Sequence, residues 1–292
     1  MNYHPENMYH WDFWMIEREG EVHSFHLFRL RPGAIADPEQ LDWLGHAVTD
    51  DLINWREEPL VLPPGPHGSF DDMKHWTGHI IEKDDLYYLY YTGRSSREQG
   101  RVQRTMLATS PDLYHWTKYE NNPVMGADPR WYVAEQVPER AHVVGWRDPR
   151  IVLDEDSGWY YAFLAADLPE VDWAERGCVA RARSRDLVEW EVLPPAFAPR
   201  KYATIEVPDV FYLDGRWYLI LLTGTAYGNA RSSFSDPNIN MGTIYAVSDR
   251  LDGDFHELDD NVLIGAKWWE GTSCRSVEFK GKRYLFYFQC ER

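Results

Sequence analysis

The stretch "AVTDDLINW", residues Ala47–Trp55, decides the fold because it returns later in the chain with a polar turn and a closing aromatic residue. The closing aromatic residues lie 61, 74 and 65 residues apart, and a period of this size indicates stacked supersecondary units. Each copy predicts a strand, a turn built on Ser, Thr or Asp, and an aromatic residue that starts the next strand. The copies are "ATSPDLYHW" (Ala108–Trp116), "ARSRDLVEW" (Ala182–Trp190) and the weaker "AVSDRLDGDF" (Ala246–Phe255).

An aromatic, β-rich run precedes each copy, and a fifth such run, "RYLFYFQC" (residues 283–290), ends the chain without a turn copy. A charged or glycine turn and one more apolar run lie ahead of each of these runs. The repeating unit of strand, hairpin turn, central strand, loop and strand therefore occurs five times. It predicts an all-β fold, a single five-bladed β-propeller domain over residues 1–292. An antiparallel sandwich is the alternative, but a sandwich need not repeat at this period.

Composition narrows the range of partners. The net charge of −17, from 47 acidic and 30 basic residues, disfavours binding to nucleic acid. No apolar stretch approaches the length of a membrane span, and the N-terminus lacks the pattern of a signal peptide, so we expect a cytoplasmic protein. The three cysteines and the scattered histidines fit no metal-ligand spacing, which predicts no metal and no cofactor. Aromatic residues make up 15% of the chain and could offer flat faces to a small carbohydrate.

Carboxylates stand just before the first apolar run of three repeats. The innermost strand of each propeller blade lines the central channel, so groups at the start of these strands converge at one mouth. Asp12 occupies this place in "HWDFWMI", Asp148 in "GWRDPRIVL" and Glu206 in "TIEVPDVF". We expect the three acids, although far apart in sequence, to face the same space.

Two such carboxyl groups are the minimum machinery for breaking a glycosidic bond. Glu206 stands in an apolar run, where burial and like charges are expected to raise its pKa, and a protonated carboxyl can act as a general acid. A second carboxylate that stays ionised can act as nucleophile or base. Each acid taken alone also has a structural explanation. Asp12 could be a turn or capping residue, and Asp148 could form a structural ion pair with Arg147. Glu206 could be a buried acid that accepts hydrogen bonds from backbone N–H groups.

The motifs around these acids resemble those of glycoside hydrolase family 32, the β-fructofuranosidases, which share a clan of five-bladed propellers with families 68 and 43. "GWRDPRIVL" resembles the Arg-Asp-Pro motif of that family, and "IEVPDVFYL" its Glu-Cys-Pro-Asp motif, with Val207 in place of Cys. "WTGHII" resembles the Trp-Ser-Gly segment, with Thr77 in place of Ser. The first motif of the family is Trp-Met-Asn-Asp-Pro-Asn-Gly. Of this motif the chain keeps Asp12, at about the family's distance from the later Gly20, and lacks the Asn, Pro and Asn.

The resemblance implies a role for each acid. Asp12 would be the nucleophile, Glu206 the acid/base, and Asp148 would bind sugar hydroxyls as a carboxylate kept ionised by Arg147. Further residues near the starts of the inner strands are expected to contact the substrate: Trp14, Phe70, Asp72, Trp76, Arg147 and Trp268. The repeated turn tryptophans Trp55, Trp116 and Trp190 are instead assigned to packing.

Several functions remain open from sequence alone. The leading hypothesis is retaining hydrolysis of β-D-fructofuranosides such as sucrose, fructooligosaccharides or fructan. An inverting arabinofuranosidase or xylosidase of the family 43 type differs in the distance between its carboxyl groups, which sequence does not give. A fructosyltransferase would pass the same glycosyl intermediate to another sugar. A carbohydrate-binding propeller without catalysis is the third class, although a neutral ligand does not need three acids at one mouth.

Overall fold

The computed structural model describes residues 3–34, 42–136, 143–224, 241–266 and 270–289, and this part of the chain is nearly all β-structure. Two short 3-10 helices, Ser96–Glu98 and Trp173–Glu175, interrupt the strands, and no helix in the described ranges could cross a membrane. The strands are β1 (Met8–Arg18), β2 (Glu21–Leu30), β3 (Leu44–Thr49), β4 (Arg56–Val61), β5 (Lys74–Lys83), β6 (Leu86–Arg94), β7 (Gln103–Ser110), β8 (Thr117–Lys118), β9 (Trp146–Asp154), β10 (Trp159–Asp167), β11 (Gly177–Ser184), β12 (Glu191–Phe197), β13 (Glu206–Leu213), β14 (Arg216–Gly224), β15 (Met241–Ser248), β16 (His256–Ala266), β17 (Glu270–Phe279) and β18 (Lys282–Gln289).

The five repeats form five antiparallel sheets, here called blades 1 to 5. Blades 1 to 4 each contain four strands in sequence order, β1–β4, β5–β8, β9–β12 and β13–β16. Blade 5 contains β17 and β18 within the described residues. The first strands of successive blades pack against one another, and β17 contacts both β13 and β1, so the ring closes. The all-β propeller predicted from the repeat is confirmed.

The repeated turn has the same hydrogen bonds in the first three blades. In blade 2 the hydroxyl of Ser110 accepts from the backbone N–H of Leu113 at 2.9 Å. The carboxylate of Asp112 accepts from the backbone N–H groups of Tyr114 and His115. Leu113 takes a left-handed conformation (φ 72°), which turns its side chain into the core, where it is fully buried. The three residue types recur because each has its own role in this turn. The hydroxyl of Ser or Thr and the carboxylate of Asp accept backbone hydrogen bonds, and the Leu side chain packs in the core.

The apolar core is divided into layers between neighbouring blades. One cluster joins Trp14 and Phe25 of blade 1 to Leu89 and Tyr91 of blade 2, and equivalent clusters fill the other boundaries. The turn tryptophans pack against these clusters, as assigned from the sequence: Trp55, Trp116 and Trp190. Flat aromatic rings suit such layers because each layer lies between two sheet faces.

Every inner strand is interrupted at an equivalent position. The pairing register shifts near Asp12 in β1, at Thr77 in β5 and near Asp148 in β9, and the same happens in β13 and β17. Such β-bulges bend the strand and re-aim a side chain. In this ring they lie at the same end of the five inner strands and turn their polar groups toward one axial opening, here called the mouth.

Candidate active site

The three acids singled out in the sequence meet at the mouth. Asp12 comes from β1, Asp148 from β9 and Glu206 from the start of β13. They are close enough for their charges to act on one another, since Glu206 raises the pKa of Asp12 and both acids raise that of Asp148. Three carboxyl groups from three blades therefore share one polar site.

Hydroxyl groups hold both carboxylate oxygens of Asp12. Thr77 Oγ1 donates to Oδ2 at 2.7 Å and Ser273 Oγ donates to Oδ1 at 2.6 Å. Thr77 and Ser273 lie at the bulges of β5 and β17, so blades 2 and 5 each donate one hydrogen bond to the acid of blade 1. Burial raises the pKa of Asp12, and these two hydrogen bonds partly offset that effect. Sequence reasoning did not identify either partner, although both occupy the repeat position that carries Asp148 in blade 3.

Arg275 supplies a positive charge beneath the acids. It lies two residues after Ser273, is 2% exposed, and donates from Nη1 to the carbonyl oxygen of Pro208 at 2.6 Å. Its Nε and Nη2 atoms have no hydrogen-bond partner among the described residues. Its charge lowers the pKa of Asp12 and so opposes the effect of burial. No motif or repeat in the sequence singles out this arginine.

Asp148 is almost fully enclosed, with 3% of its surface exposed. Its Oδ2 accepts from the backbone N–H of Val207 at 3.0 Å and lies 3.6 Å from Arg147 Nε. Its pKa is raised to about 7: burial is the largest cause, Asp12 and Glu206 add to it, and Arg147 acts in the opposite direction. The expectation that Arg147 keeps this acid ionised across the neutral range is therefore wrong, because burial outweighs the ion pair.

Arg147 connects the second and third acids. Its Nη2 donates to Glu206 Oε1 at 2.9 Å, and the Glu206 side chain is 23% exposed. Burial lowers the pKa of Arg147, but Glu206 and Asp148 raise it more, so the guanidinium stays charged. The carboxyl group of Glu206 is thus paired with Arg147 and open to the mouth, which explains how it is tolerated in an apolar run.

Below the acids, a second ion pair joins blades 3, 4 and 5. Asp209 is fully buried, and its Oδ1 lies 2.8 Å from Arg150 Nε. Its Oδ2 accepts from the backbone N–H of Ser276 at 2.6 Å. Asp209 lies three residues after Glu206 on β13. Its bonds to Arg150 and Ser276 therefore fix the strand that carries Glu206.

Two of the expected substrate contacts lie on the blade 2 side of the mouth with exposed surface. Trp76 directly precedes Thr77, is partly exposed, and has the guanidinium carbon of Arg94 4.2 Å from its ring centre. Phe70 is 37% exposed and lies under Arg104, 4.7 Å from its ring centre. Both remain predicted contacts, and neither ring is enclosed by the core.

Two other expected contacts are corrected by the structure. Trp14 is 0% exposed and stacks on Phe25 between blades 1 and 2, because its position beyond the bulge of β1 points into that layer. The Asp72 side chain is 2% exposed. It accepts hydrogen bonds from the N–H groups of Gly68 and Ser96 at 2.7 Å each, so it fixes a loop. Trp268 lies outside the described residues.

The polar atoms at the mouth come from carboxyl, hydroxyl and guanidinium groups. Among the described residues, no group of three or more His, Cys, Asp or Glu side chains is arranged to hold a metal. The acids are instead interleaved with hydroxyl and guanidinium groups, which can form hydrogen bonds with a polyhydroxylated ligand.

Fold and geometry together define the class: a β-propeller that collects carboxyl groups from several blades at one mouth. The chain belongs to the glycosyl hydrolases family 32, whose N-terminal domain matches residues 14–264. The match begins two residues after Asp12, in keeping with the departure of this chain from the first family motif.

Known proteins of this kind are similar over much of the chain. The sucrose-6-phosphate hydrolase of Bacillus subtilis is 28% identical over 230 residues, 74% of this chain and 43% of that protein. Beta-fructofuranosidase, insoluble isoenzyme 7, of Oryza sativa subsp. indica is 32% identical over 210 residues, 68% of this chain and 32% of that protein. The chain thus spans less than half the length of these curated relatives.

Solved structures show the same fold at lower identity. Fructan 1-exohydrolase IIa from Cichorium intybus superposes with a TM-score of 0.68 at 20% identity, covering 97% of this chain and 52% of that one. A B. subtilis levansucrase mutant gives a TM-score of 0.71 at 16% identity, covering 94% and 77%. These likenesses confirm the propeller architecture.

The pKa of Asp148 generates a prediction for stability. Its folded pKa of about 7 lies above the ordinary value of 3.8, so the native state binds more protons than the unfolded state between these pH values. Stability should therefore fall as pH rises from about 4 to 7, by up to about 4 kcal/mol from this group. Asp148→Asn removes the titrating group and should flatten this part of the profile.

Urea unfolding of wild type and Asp148→Asn at several pH values from 4.5 to 8 measures the difference. The variant should gain stability relative to wild type as the pH rises. Parallel profiles for the two proteins would show that the enclosed carboxyl does not carry the proton assigned to it.

Proposed function

We propose that this chain hydrolyses the glycosidic bond of β-D-fructofuranosides with retention of configuration. The observation that carries the proposal is the difference between two acids at one mouth. Asp12 is held by two hydroxyl donors, whereas Glu206 is paired with Arg147 and open to the mouth. The substrate class is supported by the family and by relatives named as a sucrose-6-phosphate hydrolase and a β-fructofuranosidase.

In the first step, one carboxylate oxygen of Asp12 attacks the anomeric carbon of the fructosyl ring. The bond from that carbon to the leaving oxygen breaks, and Glu206 gives its proton to this oxygen. The product is an ester between the sugar and Asp12. In the second step, water loses a proton to Glu206 and attacks the same carbon, which releases Asp12 and restores both acids.

The surroundings of each acid fit these roles. Thr77 and Ser273 fix the plane of the Asp12 carboxylate, and Arg275 favours its ionised form, as a nucleophile requires. Asp148, with a pKa of about 7, can accept hydrogen bonds from sugar hydroxyls when ionised and donate one when protonated. Such bonds contribute to catalysis when they strengthen as positive charge develops on the sugar ring.

Substitution of the two acids tests the assignment. Glu206→Gln should lower kcat on sucrose by about 10²- to 10⁴-fold, because the leaving oxygen no longer receives a proton. An aryl fructoside with an acidic leaving group needs no such proton, so it should still be cleaved in the first step. Asp12→Asn should be inactive on both substrates, because no ester can form.

Glu82→Gln, an exposed glutamate on β5, is the matched control and should behave as wild type. Nuclear magnetic resonance of the first sugar released reports the mechanism: β-fructose means retention, and α-fructose means inversion. Release of a fructosylated sugar instead of free fructose would indicate a transferase. Wild-type turnover by both Asp12→Asn and Glu206→Gln would contradict the enzymatic proposal as a whole.

Arg275 generates a separate prediction for the pH dependence of the reaction. Its charge lowers the pKa of Asp12, so Arg275→Met should raise that pKa and move the acidic limb of kcat/KM to higher pH. Arg275→Lys keeps the charge and disturbs the same buried position, so its acidic limb should stay near that of wild type. An equal shift in both variants would show that the limb reports packing rather than charge.

A further inference from the structure

A further buried acid, Asp167, lies at the end of β10 beside Arg147. It is 5% exposed. Ala165 pairs with Arg147 on the neighbouring strand β9, so Asp167 lies two residues beyond this pair, about 7 Å along the strand. Burial lowers the pKa of Arg147, whereas Glu206, Asp148 and Asp167 raise it. The charge of Arg147 is therefore shared among three acids, and Asp167 is the one outside the cluster at the mouth.

The guanidinium of Arg147 lies between Glu206 and Asp167. Its Nη2 donates to Glu206 Oε1 at 2.9 Å. Its Nη1 faces Asp167 across Gly145, because a Cβ added to this glycine would lie 3.0 Å from Arg147 Nη1 and 3.0 Å from Asp167 Oδ2. The lack of a side chain at residue 145 thus leaves the space in which the two charged groups face each other.

A second arginine holds Asp167 from the other side. Arg176 Nε lies 3.4 Å from Asp167 Oδ1, and the guanidinium carbon of Arg176 lies 3.4 Å from the centre of the Trp173 ring. The backbone N–H of Leu168 donates to the carbonyl oxygen of Arg176 at 2.7 Å, which closes the loop that carries both residues. Acids and arginines therefore alternate from the mouth outward, in the order Glu206, Arg147, Asp167 and Arg176.

This alternation affects how readily the acid/base can hold a proton. A general acid must be protonated in the first step, and a nearby cation favours the ionised carboxylate instead. Asp167 opposes that action of Arg147, because its negative charge attracts the same guanidinium and disfavours a second anion nearby. Arg176 in turn reduces the effect of Asp167. The other titratable groups around this network are Asp12 and Asp148 at the mouth and the buried thiol of Cys178 beside Asp167.

We propose that Asp167 is a positioning residue for the acid/base: it divides the positive charge of Arg147, so that Glu206 can be protonated in the first step of the reaction. This inference rests on the proposed function and concerns the same site. Asp167 acts through Arg147 and does not contact the substrate. Loss of Asp167 strengthens the attraction between Arg147 and the Glu206 carboxylate, whereas loss of Arg176 weakens it. Substitutions of Asp167 and Arg176 must therefore have effects of opposite sign.

The pH profile of kcat/KM on sucrose tests this opposition, since its basic limb marks the loss of the proton from the acid/base. In Asp167→Asn the basic limb should move to lower pH by about 1 unit, the size expected for one charge roughly 10 Å away at an effective dielectric constant of about 20. Just above the wild-type limb, kcat/KM then falls about 10-fold. Arg176→Gln should move the limb to higher pH, and Asp167→Glu, which keeps the charge, should stay near wild type.

Two controls separate this effect from a change in packing. Glu191→Gln removes a carboxylate that pairs with Arg183 at 2.7 and 2.8 Å on the outer strands of the same blade, and it should leave the limb within about 0.2 pH unit of wild type. An aryl fructoside with an acidic leaving group needs no proton in the first step. Its profile should not shift in Asp167→Asn or Arg176→Gln. Equal shifts on both substrates would contradict a role that acts through Glu206.

Carbon-13 nuclear magnetic resonance of the Glu206 carboxyl, assigned by its loss in Glu206→Gln, tests the role of Asp167 without turnover. The titration midpoint should be lower in Asp167→Asn and higher in Arg176→Gln than in wild type. Shifts of the same sign in both variants, or no shift in either, would overturn the role of Asp167 and leave the hydrolase intact. Opposite shifts of the midpoint in a protein that cleaves no fructoside would overturn only the hydrolase.

Discussion

The structure depends on the interleaving of arginines and carboxylates along the propeller axis. Three blades bring together the acids Asp12, Asp148, Glu206 and Asp209. Unpaired carboxylates in so small a space would repel one another and resist burial. Arg147 lies between two of the acids near the mouth, while Arg150 and Arg275 lie below them. The cations make the acid cluster compatible with a folded state. Arg275 lowers the pKa of Asp12 and Arg147 lowers that of Asp148, each against the larger effect of burial.

The same contacts close the ring. Blade 5 is the smallest of the described sheets, yet Ser273 donates to Asp12 of blade 1 and Arg275 donates to the backbone of blade 4 at Pro208. The polar site therefore joins blades 4 and 5, whose shared apolar cluster is small: among the described residues it contains only three buried side chains. A substitution at the mouth should be examined for folding as well as for chemistry, because the residues that bind the acids also bind one blade to the next.

The sequence predicted the ring and the three acids because both follow from repetition. A polar turn that recurs with its closing tryptophan implies a blade, and an acid that recurs at one place in the blade implies a shared axis. The prediction that Trp14 and Asp72 contact the substrate failed, because proximity in sequence does not give the direction of a side chain. Trp14 lies beyond the bulge in β1 and points into the core. The Asp72 carboxylate accepts hydrogen bonds from loop N–H groups. It also missed Arg275, since a single arginine inside an apolar strand has no partner nearby in sequence.

The backbone is strained at three of the bulges. Asp148, Val207 and Ser273 have φ values of 58°, 51° and 51°, a left-handed region that costs a residue with a side chain of order 1 kcal/mol or more. Glycine would relieve this strain, but it would remove the Asp148 carboxylate and the Ser273 hydroxyl that binds Asp12. At Val207 the strained backbone presents its N–H to Asp148 at 3.0 Å. All three strained residues therefore form hydrogen bonds within one acid cluster, so the strain lies where the ring must present polar groups to its axis.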